Sequence, residues 1–415
     1  MHVVIIGNSA AGLKALETFR KYDQNSSVTI VSKESKVPYS RVLLPYYLRG
    51  KIDYNTFFIR SEEYYDKYNA NFINGHVTNV DEKKKIISLD DGSKIEFDKL
   101  LIGTGSSAMM PPIQGLEGEG IYNMWTLEDV HRIEPLFKEN KRVLVLGSGF
   151  VSLQAAWAAL VKKLDVKIIE LAPRIMPRVL DEKGAEALRR KIVELGVDLS
   201  VNTLTEKVER LEDNTFRIHI KDGEPFEVDI IIVGTGVRAN TQLLDGTSVE
   251  VDRGILVDEY MMTNVEDIYS AGDVAQGPTA FGEKNVIHAL WPTAIEMGNI
   301  AGANMAGKKL SYKGSLNMNV TEMFNITVAS MGRFNDGEGD QVWTYESEEL
   351  GGYMKVVYED GYVVGATVAG SSRMVPFLGK IRPIIRKKQK IECNPEKLGA
   401  QLQLKIAKSN SAFKF

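Results

Sequence analysis

Two glycine turns of one kind, about 140 residues apart, and a change to hairpin patterning beyond residue 318 predict an α/β fold. Each turn follows a short apolar strand and opens a helix, the arrangement of a Rossmann-like dinucleotide-binding domain. A small C-terminal α+β domain completes the expected architecture.

The chain has 415 residues, 44% hydrophobic and 26% charged, which suits a globular protein of two or three domains. Its 51 basic and 55 acidic residues leave a net charge of −4, so no nucleic-acid partner is expected. A single cysteine, Cys393, excludes an intramolecular disulfide, a CxxC pair and a cysteine-rich metal site. The five histidines, at 2, 76, 131, 219 and 288, have no HExxH-like spacing, and no metal is expected. The first strand begins at residue 2, leaving no room for a signal peptide, and no run of 18 apolar residues suggests a membrane span. A cytoplasmic location is therefore expected.

In the first unit, Val3 to Ile6 is a β-branched strand and Gly7-Asn8-Ser9-Ala10-Ala11-Gly12 is the turn. Leu13, Leu16 and Phe19 then recur at helical spacing. Val28 to Val31 is the second strand, and Glu34 lies 22 residues beyond Gly12. The middle glycine of the fingerprint is replaced by Ser9. Gly7, Ser9, Ala10, Ala11 and Gly12 would let the helix N-terminus meet a pyrophosphate. Residues 38 to 50 suggest an ordered connection with short helices. Strands are expected at Asn71 to Ile73, Gly75 to Val80, Ile86 to Leu89 and Lys94 to Phe97, with Asp91-Gly92 as a hairpin turn. Lys99 to Ile102 is a buried strand running into Gly103-Thr104-Gly105-Ser106, and Pro111 to Gly115 is a linker.

The second unit opens with the strand Arg142 to Leu146 and the turn Gly147-Ser148-Gly149-Phe150-Val151-Ser152. An alanine-rich helix runs to about Lys163, and Glu170 ends the next strand, Val166 to Ile169. Both leading glycines and the acid are in place here, so this is the stronger fingerprint. Ser152 replaces the third glycine and predicts looser helix–strand packing. Gly147, Gly149, Phe150 and Val151 form the second pyrophosphate cradle. Residues 228 to 236, VDIIIVGTG, repeat the pattern of 98 to 105, DKLLIGTG. A strand should return near Gly254 to Val257, and Ile268 to Asp273 forms another strand and turn. Asp273, behind two small residues at the end of a buried strand, needs a hydrogen-bonding partner. Pro292 suits the first turn of a helix containing Thr293, Ala294, Met297 and Ile300. Beyond 318 come strands at Thr327 to Met331, Tyr353 to Tyr358 and Tyr362 to Val368. Residues 396–415 are expected to be a helix with a frayed end.

The series GNSAAG, LLIGTGSS, GSGFVS with Glu170, VGTG and SAGDVA resembles the FAD/NAD(P)-dependent pyridine nucleotide oxidoreductases. YSRVLL at 39 to 44 and WPTAIE at 291 to 296 are similar to the branch holding rubredoxin reductase and the flavin domain of NADH-dependent nitrite reductase. The resemblance implies an FAD domain split into 1–112 and 252–317, with an NAD(H) domain, 113–251, inserted between the halves. A C-terminal interface domain, 318–395, and a tail, 396–415, follow.

For FAD, the resemblance implies roles for the first turn, Arg41 on the phosphates, the backbone of Val77 on adenine, and Thr104 and Gly105 beside the cofactor. Asp273 would accept from a ribityl hydroxyl, and the helix start at Thr293 and Ala294 would face the flavin pyrimidine ring. The adenosine ribose falls to Glu34 or, by the family strand pattern, to a residue nearer Ser32. For NAD(H), Glu170 would bind the ribose 2′-OH, with Arg174 close enough in sequence to receive a 2′-phosphate instead. Gln154 stands where many relatives carry glutamate beside the nicotinamide, and Gly234 and Gly236 would line the same cleft.

Disulfide-reducing relatives carry a redox cysteine in the loop matching Val42-Leu43-Leu44-Pro45, where this chain has no sulfur. Cys393 is read as a bystander. Residues 380 to 390, KIRPIIRKKQK, hold six basic and no acidic side chains. They read as a solvated face, a dock for an acidic electron carrier or larger partner subunit, or a membrane-surface patch. The expected function is an FAD-dependent NADH:acceptor oxidoreductase with no catalytic side chain beyond the flavin. Its partner would be an electron-carrier protein or a partner oxidoreductase subunit, and the chain would form a homodimer or join a hetero-complex. Alternatives are an oxygen-reducing NADH oxidase and an interaction flavoprotein like apoptosis-inducing factor.

Overall fold

The computed structural model describes residues 1–281, 285–347 and 352–390. The expected tail at 396–415 and Cys393 lie outside the described residues. The chain divides into two compact units, one combining Met1–Met109 with Gly236–Leu316, the other Met110–Thr235 with Asn317–Phe415.

The first unit is organised by a five-stranded parallel sheet in the order Ile268–Ser270, Lys99–Ile102, His2–Ile6, Ser27–Ser32, Asn71–Asn74. Its central strand is apolar at every interior position because both faces are covered, and Val3, Val4 and Ile5 are 0% exposed. The helix Ala10–Tyr22 packs on the helix Trp291–Met305 almost backbone to backbone. A Cβ on Gly298 or Gly302 would stand 2.3 Å from the carbonyl oxygen of Ala11 or Ala15. Spacing by four puts the two glycines on one helix face and the two alanines on the other. A three-stranded antiparallel sheet, Val77–Asp81, Ile86–Leu89 and Lys94–Glu96, branches from the main sheet. Gly75 and His76, expected in its first strand, are outside it, and Gly75 N donates to Ser32 O at 2.9 Å.

The chain leaves this unit at Met109 and returns at Gly236, earlier than the 252 read from the sequence. The crossing segments pair with each other: Val237–Ala239 lies antiparallel to Ser106–Ala108.

The second unit repeats the plan. Its parallel sheet runs Asp198–Ser200, Asp165–Ile169, Arg142–Leu146, Ile230–Val233, Ile121–Tyr122, with a three-stranded sheet, Thr205–Arg210, Phe216–Ile220 and Phe226–Val228, beside it. A five-stranded antiparallel sheet follows in the order Met318–Met323, Ile326–Gly332, Tyr362–Gly370, Gly352–Glu359, Gln341–Ser347. Its two edge strands, Met318–Met323 and Gln341–Ser347, were not legible in the sequence, because MNVTEM and QVWTYES lack a continuous apolar face. The helix Val375–Arg386 was also missed, although Phe377, Leu378, Ile381 and Ile385 form its buried side. Asp181 ties this sheet to the nucleotide fold. One of its oxygens caps the helix Glu182–Glu194 through Gly184 N at 3.0 Å, and the other accepts the Tyr353 hydroxyl at 2.6 Å.

Among the described residues, no helix is long and apolar enough to cross a membrane, and no group of three His, Cys, Asp or Glu could hold a metal ion.

Candidate functional site

Four of the longer helices begin without a side-chain cap and without an acid in the first turn: Ala10–Tyr22, Phe150–Val161, Trp291–Met305 and Val375–Arg386. Their first N–H groups therefore stay available, and the positive end of each helix dipole is not offset by a local carboxylate. Two other helices differ: Leu127–Ile133 carries a capping box from Thr126 and Asp129, and Glu182–Glu194 is capped by Asp181. The ends of Ala10–Tyr22 and Phe150–Val161 follow the two sequence-predicted glycine turns and that of Trp291–Met305 the predicted helix start at Pro292, and a free end so placed is the donor set a pyrophosphate or an electron-rich ring edge requires.

In the first turn, Gly7 has φ +107, where an L side chain is strained, and a Cβ on Gly12 would stand 1.9 Å from Gly7 O. The turn thus closes on itself beneath Ser9, Ala10 and Ala11. Ser32 ends the second strand and donates from Oγ to Asn8 Oδ1 at 2.9 Å, while Asn8 Nδ2 donates to Ser35 O at 2.8 Å. Glu34 stands two residues further on, ion-paired with Arg41. Arg41 also lies over the Tyr39 ring, 5.6 Å from its centroid. Val77 is buried at the start of its strand, paired with Leu89.

Asp273 sits between two helix starts. A Cβ on neighbouring Gly272 would be 3.1 Å from Ala11 Cβ and 3.7 Å from Ala294 Cβ. Burial raises the Asp273 carboxyl above its ordinary value, against the opposing pull of the Ser106 hydroxyl and the Arg41 guanidinium. Ser106 Oγ donates to Asp273 Oδ2 at 3.2 Å, the partner that a carboxylate in this position needs. Thr293 and Ala294, both buried, occupy the adjoining helix start. Thr104 and Gly105 are held by Asn240: Thr104 Oγ1 donates to Asn240 O at 2.7 Å, and Asn240 N donates to Gly105 O at 3.0 Å. Asn8, Ser106 and Asn240 were not singled out from the sequence. Asn8, inside the glycine turn, was the one with a readable signal.

In the second turn, Gly149 is the helix N-cap, and a Cβ there would meet nothing within 4 Å, so glycine leaves the cradle open. Phe150 and Val151 are half-buried around it. Glu170 turns back onto the cradle: Oε2 accepts Ser148 N at 2.8 Å and the Ser148 hydroxyl, and Oε1 accepts Ala172 N at 2.8 Å. Three donors fix the carboxylate, and lone pairs remain for ribose hydroxyls. Arg174 points elsewhere, donating to Leu180 O at 3.1 Å and Pro177 O at 3.4 Å. The looser packing expected at Ser152 does not occur. Ser152 is 0% exposed and donates to Gly234 O at 2.8 Å, and the hydrogen bond fills the space beside the glycine.

Gln154 is 6% exposed. Its Nε2 donates to Thr321 Oγ1 and Glu322 O, each at 2.9 Å, while its Oε1 is buried without a partner. An orphaned buried acceptor of this kind fits a ligand amide. Gly234 backs the second turn, whereas Gly236 belongs to the first unit, so the two do not share one compact unit. The loop Val42 to Pro45 forms a short 3₁₀ turn leading into the helix Leu44–Leu48, with Leu44 buried and Val42 54% exposed.

The residues present therefore fit two dinucleotides, one at each uncapped turn. The chain is 29% identical over 368 residues to the NADH-dependent phenylglyoxylate dehydrogenase subunit epsilon of Aromatoleum evansii, covering 87% of this chain and 86% of that one. It is 28% identical to an NADH oxidase of Methanocaldococcus jannaschii, covering 94% and 92% of the two chains. It is also 28% identical to a rubredoxin-NAD(+) reductase of Pseudomonas putida, over 74% of this chain and 80% of the relative. Residues 1–298 match the sequence profile of the pyridine nucleotide-disulphide oxidoreductases, and the chain belongs to that family.

Proposed function

We propose that this protein is an FAD-dependent NADH:acceptor oxidoreductase that passes electrons between NADH and a redox partner, either a small carrier protein or a subunit of a larger oxidoreductase. FAD and NADH are the cofactors its family uses. The observation that carries the reading is the pair of glycine turns, each opening a helix whose N-terminus is free of caps and acids.

Bound FAD supplies hydride acceptance from NADH and release of electrons one or two at a time. The protein's own groups bind and orient. The helix Ala10–Tyr22 and Arg41 would hold the FAD pyrophosphate, with Arg41 exchanging its Glu34 partner for phosphate oxygens. Asp273 would accept from a ribityl hydroxyl, and the helix starting at Trp291 would favour negative charge at the pyrimidine edge. In the second unit, Gly147, Gly149, Phe150 and Val151 would cradle NADH, Glu170 would accept from its ribose, and the free oxygen of Gln154 would accept from its carboxamide. The unit combining Met1–Met109 with Gly236–Leu316 would thus serve FAD, and the nucleotide fold within Met110–Thr235 would serve NADH. Val42 to Pro45 offers no thiolate, so no disulfide is reduced there. A cytoplasmic location suits the use of free NADH.

The alternative, an oxygen-reducing NADH oxidase, has support in the similarity to the Methanocaldococcus enzyme. Turnover of the FAD-loaded protein with NADH and rubredoxin, against oxygen alone, separates the two. Rubredoxin should accelerate NADH consumption well above the rate with oxygen. Equal rates would leave the oxidase reading.

A further inference from the structure

The helix Val375–Arg386 is docked by Phe377, Leu378, Ile381 and Ile385 onto the strands Ile326–Gly332 and Tyr362–Gly370. This spacing forces the other side outward, and Lys380, Arg382, Lys387, Lys388 and Lys390 are all exposed. Basic residues in a last helical turn are commonly explained by the helix dipole. That explanation covers Arg386 and Lys387 but not Lys380, a turn and a half earlier, nor Lys390 beyond the helix. On the helix Glu182–Glu194, by contrast, the charges are matched: Glu186 pairs with Arg189 and Arg190, and Glu194 with Lys191. Among the described residues, Lys380, Lys387 and Lys388 have no carboxylate partner. The sequence deepens the asymmetry. Residues 380–415 contain ten basic and two acidic side chains, in a chain with 51 basic and 55 acidic overall.

Clustered like charge repels itself and is retained at a cost, whereas it steers an oppositely charged partner into encounter. We propose that Lys380 and Arg382 of the helix Val375–Arg386, with Lys387, Lys388 and Lys390 directly after it, form the docking surface for a small acidic electron-carrier protein. This rests on the electron-carrier reading above. The occupant is argued from charge and size. Twelve helical residues span about 18 Å, the footprint of a small protein. The positive charge is local, because the chain outside residues 380–415 carries an acidic excess.

The test uses the FAD-loaded full chain and the triple variant Lys380→Glu, Lys387→Glu, Lys388→Glu, with the matching Lys→Gln triple as a milder form. NADH-driven reduction is measured with acidic rubredoxin, basic cytochrome c and neutral menadione at low and high salt. At low salt the Glu variant should lose about tenfold or more in kcat/KM for rubredoxin and gain with cytochrome c, with the Gln variant between. The differences should shrink at high salt, where screening acts within about 8 Å or less. Menadione reduction should not change. An unchanged rubredoxin rate, or equal losses with menadione and rubredoxin, overturns the proposal. Loss of binding to phosphatidylserine vesicles with unchanged rubredoxin kinetics also overturns it, in favour of a membrane surface. If the parent protein reduces menadione but neither protein acceptor, the electron-carrier reading itself fails, and the docking surface with it.

Discussion

In the first glycine turn, Gly7 N donates to Val31 O at 2.8 Å; in the second, Gly147 N donates to Ile169 O at 2.8 Å. The shared register makes Ser32 and Glu170 equivalent, each the residue after that carbonyl, and makes Asn8 and Ser148 equivalent beside them. The contact between strand end and turn is preserved while its chemistry is exchanged. Ser32 donates to Asn8, and Glu170 accepts from Ser148. The first turn is left neutral, with its carboxylate displaced to Glu34 and held by Arg41. The second keeps its carboxylate on the turn. The third position also differs: glycine in the first turn admits direct backbone contact, and serine in the second replaces that contact with a hydrogen bond to Gly234. One backbone plan therefore tolerates two side-chain solutions.

Exchanging the third positions should produce the largest effect. Gly12→Ser places a Cβ 1.9 Å from Gly7 O, a backbone clash that cannot relax by rotamer change. A loss of about 3 kcal/mol or more in unfolding free energy is expected, with flavin lost from the purified chain. Denaturant titration and flavin absorbance measure this. A stable, flavin-replete variant would show that the first turn can adopt the second turn's solution.

Next is Asp273, a carboxylate behind the first turn. Asp273→Ala should weaken FAD binding by about 1–3 kcal/mol, read by flavin titration of the apoprotein. The pH dependence has a definite sign. Because burial raises this carboxyl above 3.8, the folded apoprotein holds a proton that the unfolded chain has already released. The contribution to stability is therefore complete below the ordinary value and is lost as pH rises through the raised one. In apoprotein melts, Asp273→Asn should lack that decline; identical pH profiles would remove the group from this role.

A smaller effect is expected at Glu170. Glu170→Gln should reduce a preference for NADH over NADPH by about tenfold, since it removes the charge that repels a 2′-phosphate. The ratio of kcat/KM for the two nucleotides decides it, and an initial preference for NADPH would reverse the assignment. Smallest is Ser152→Ala, which deletes the hydrogen bond to Gly234 and should cost about 1 kcal/mol. No loss would mean that packing alone holds the second turn.

The sequence by itself determined the two turns, the strands that feed them, the helix after Pro292 and the aspartate at 273. All of these are encoded within a few residues: a glycine able to take positive φ, an apolar run before it and helical spacing after it. Edge strands and the helix Val375–Arg386 were less legible, since MNVTEM carries little apolar periodicity and the charges of the helix mask its four buried residues. Only the tertiary structure decided which residues complete the sites. Thr104 meets Asn240 across 136 residues, and Ser106 meets Asp273 and Gln154 meets Thr321 each across 167. It also decided that Ser32, with Glu34 paired to Arg41, occupies the register position matched by Glu170. Contacts of that separation leave no local periodicity, because they are set by how strands align in a sheet rather than by neighbouring residues.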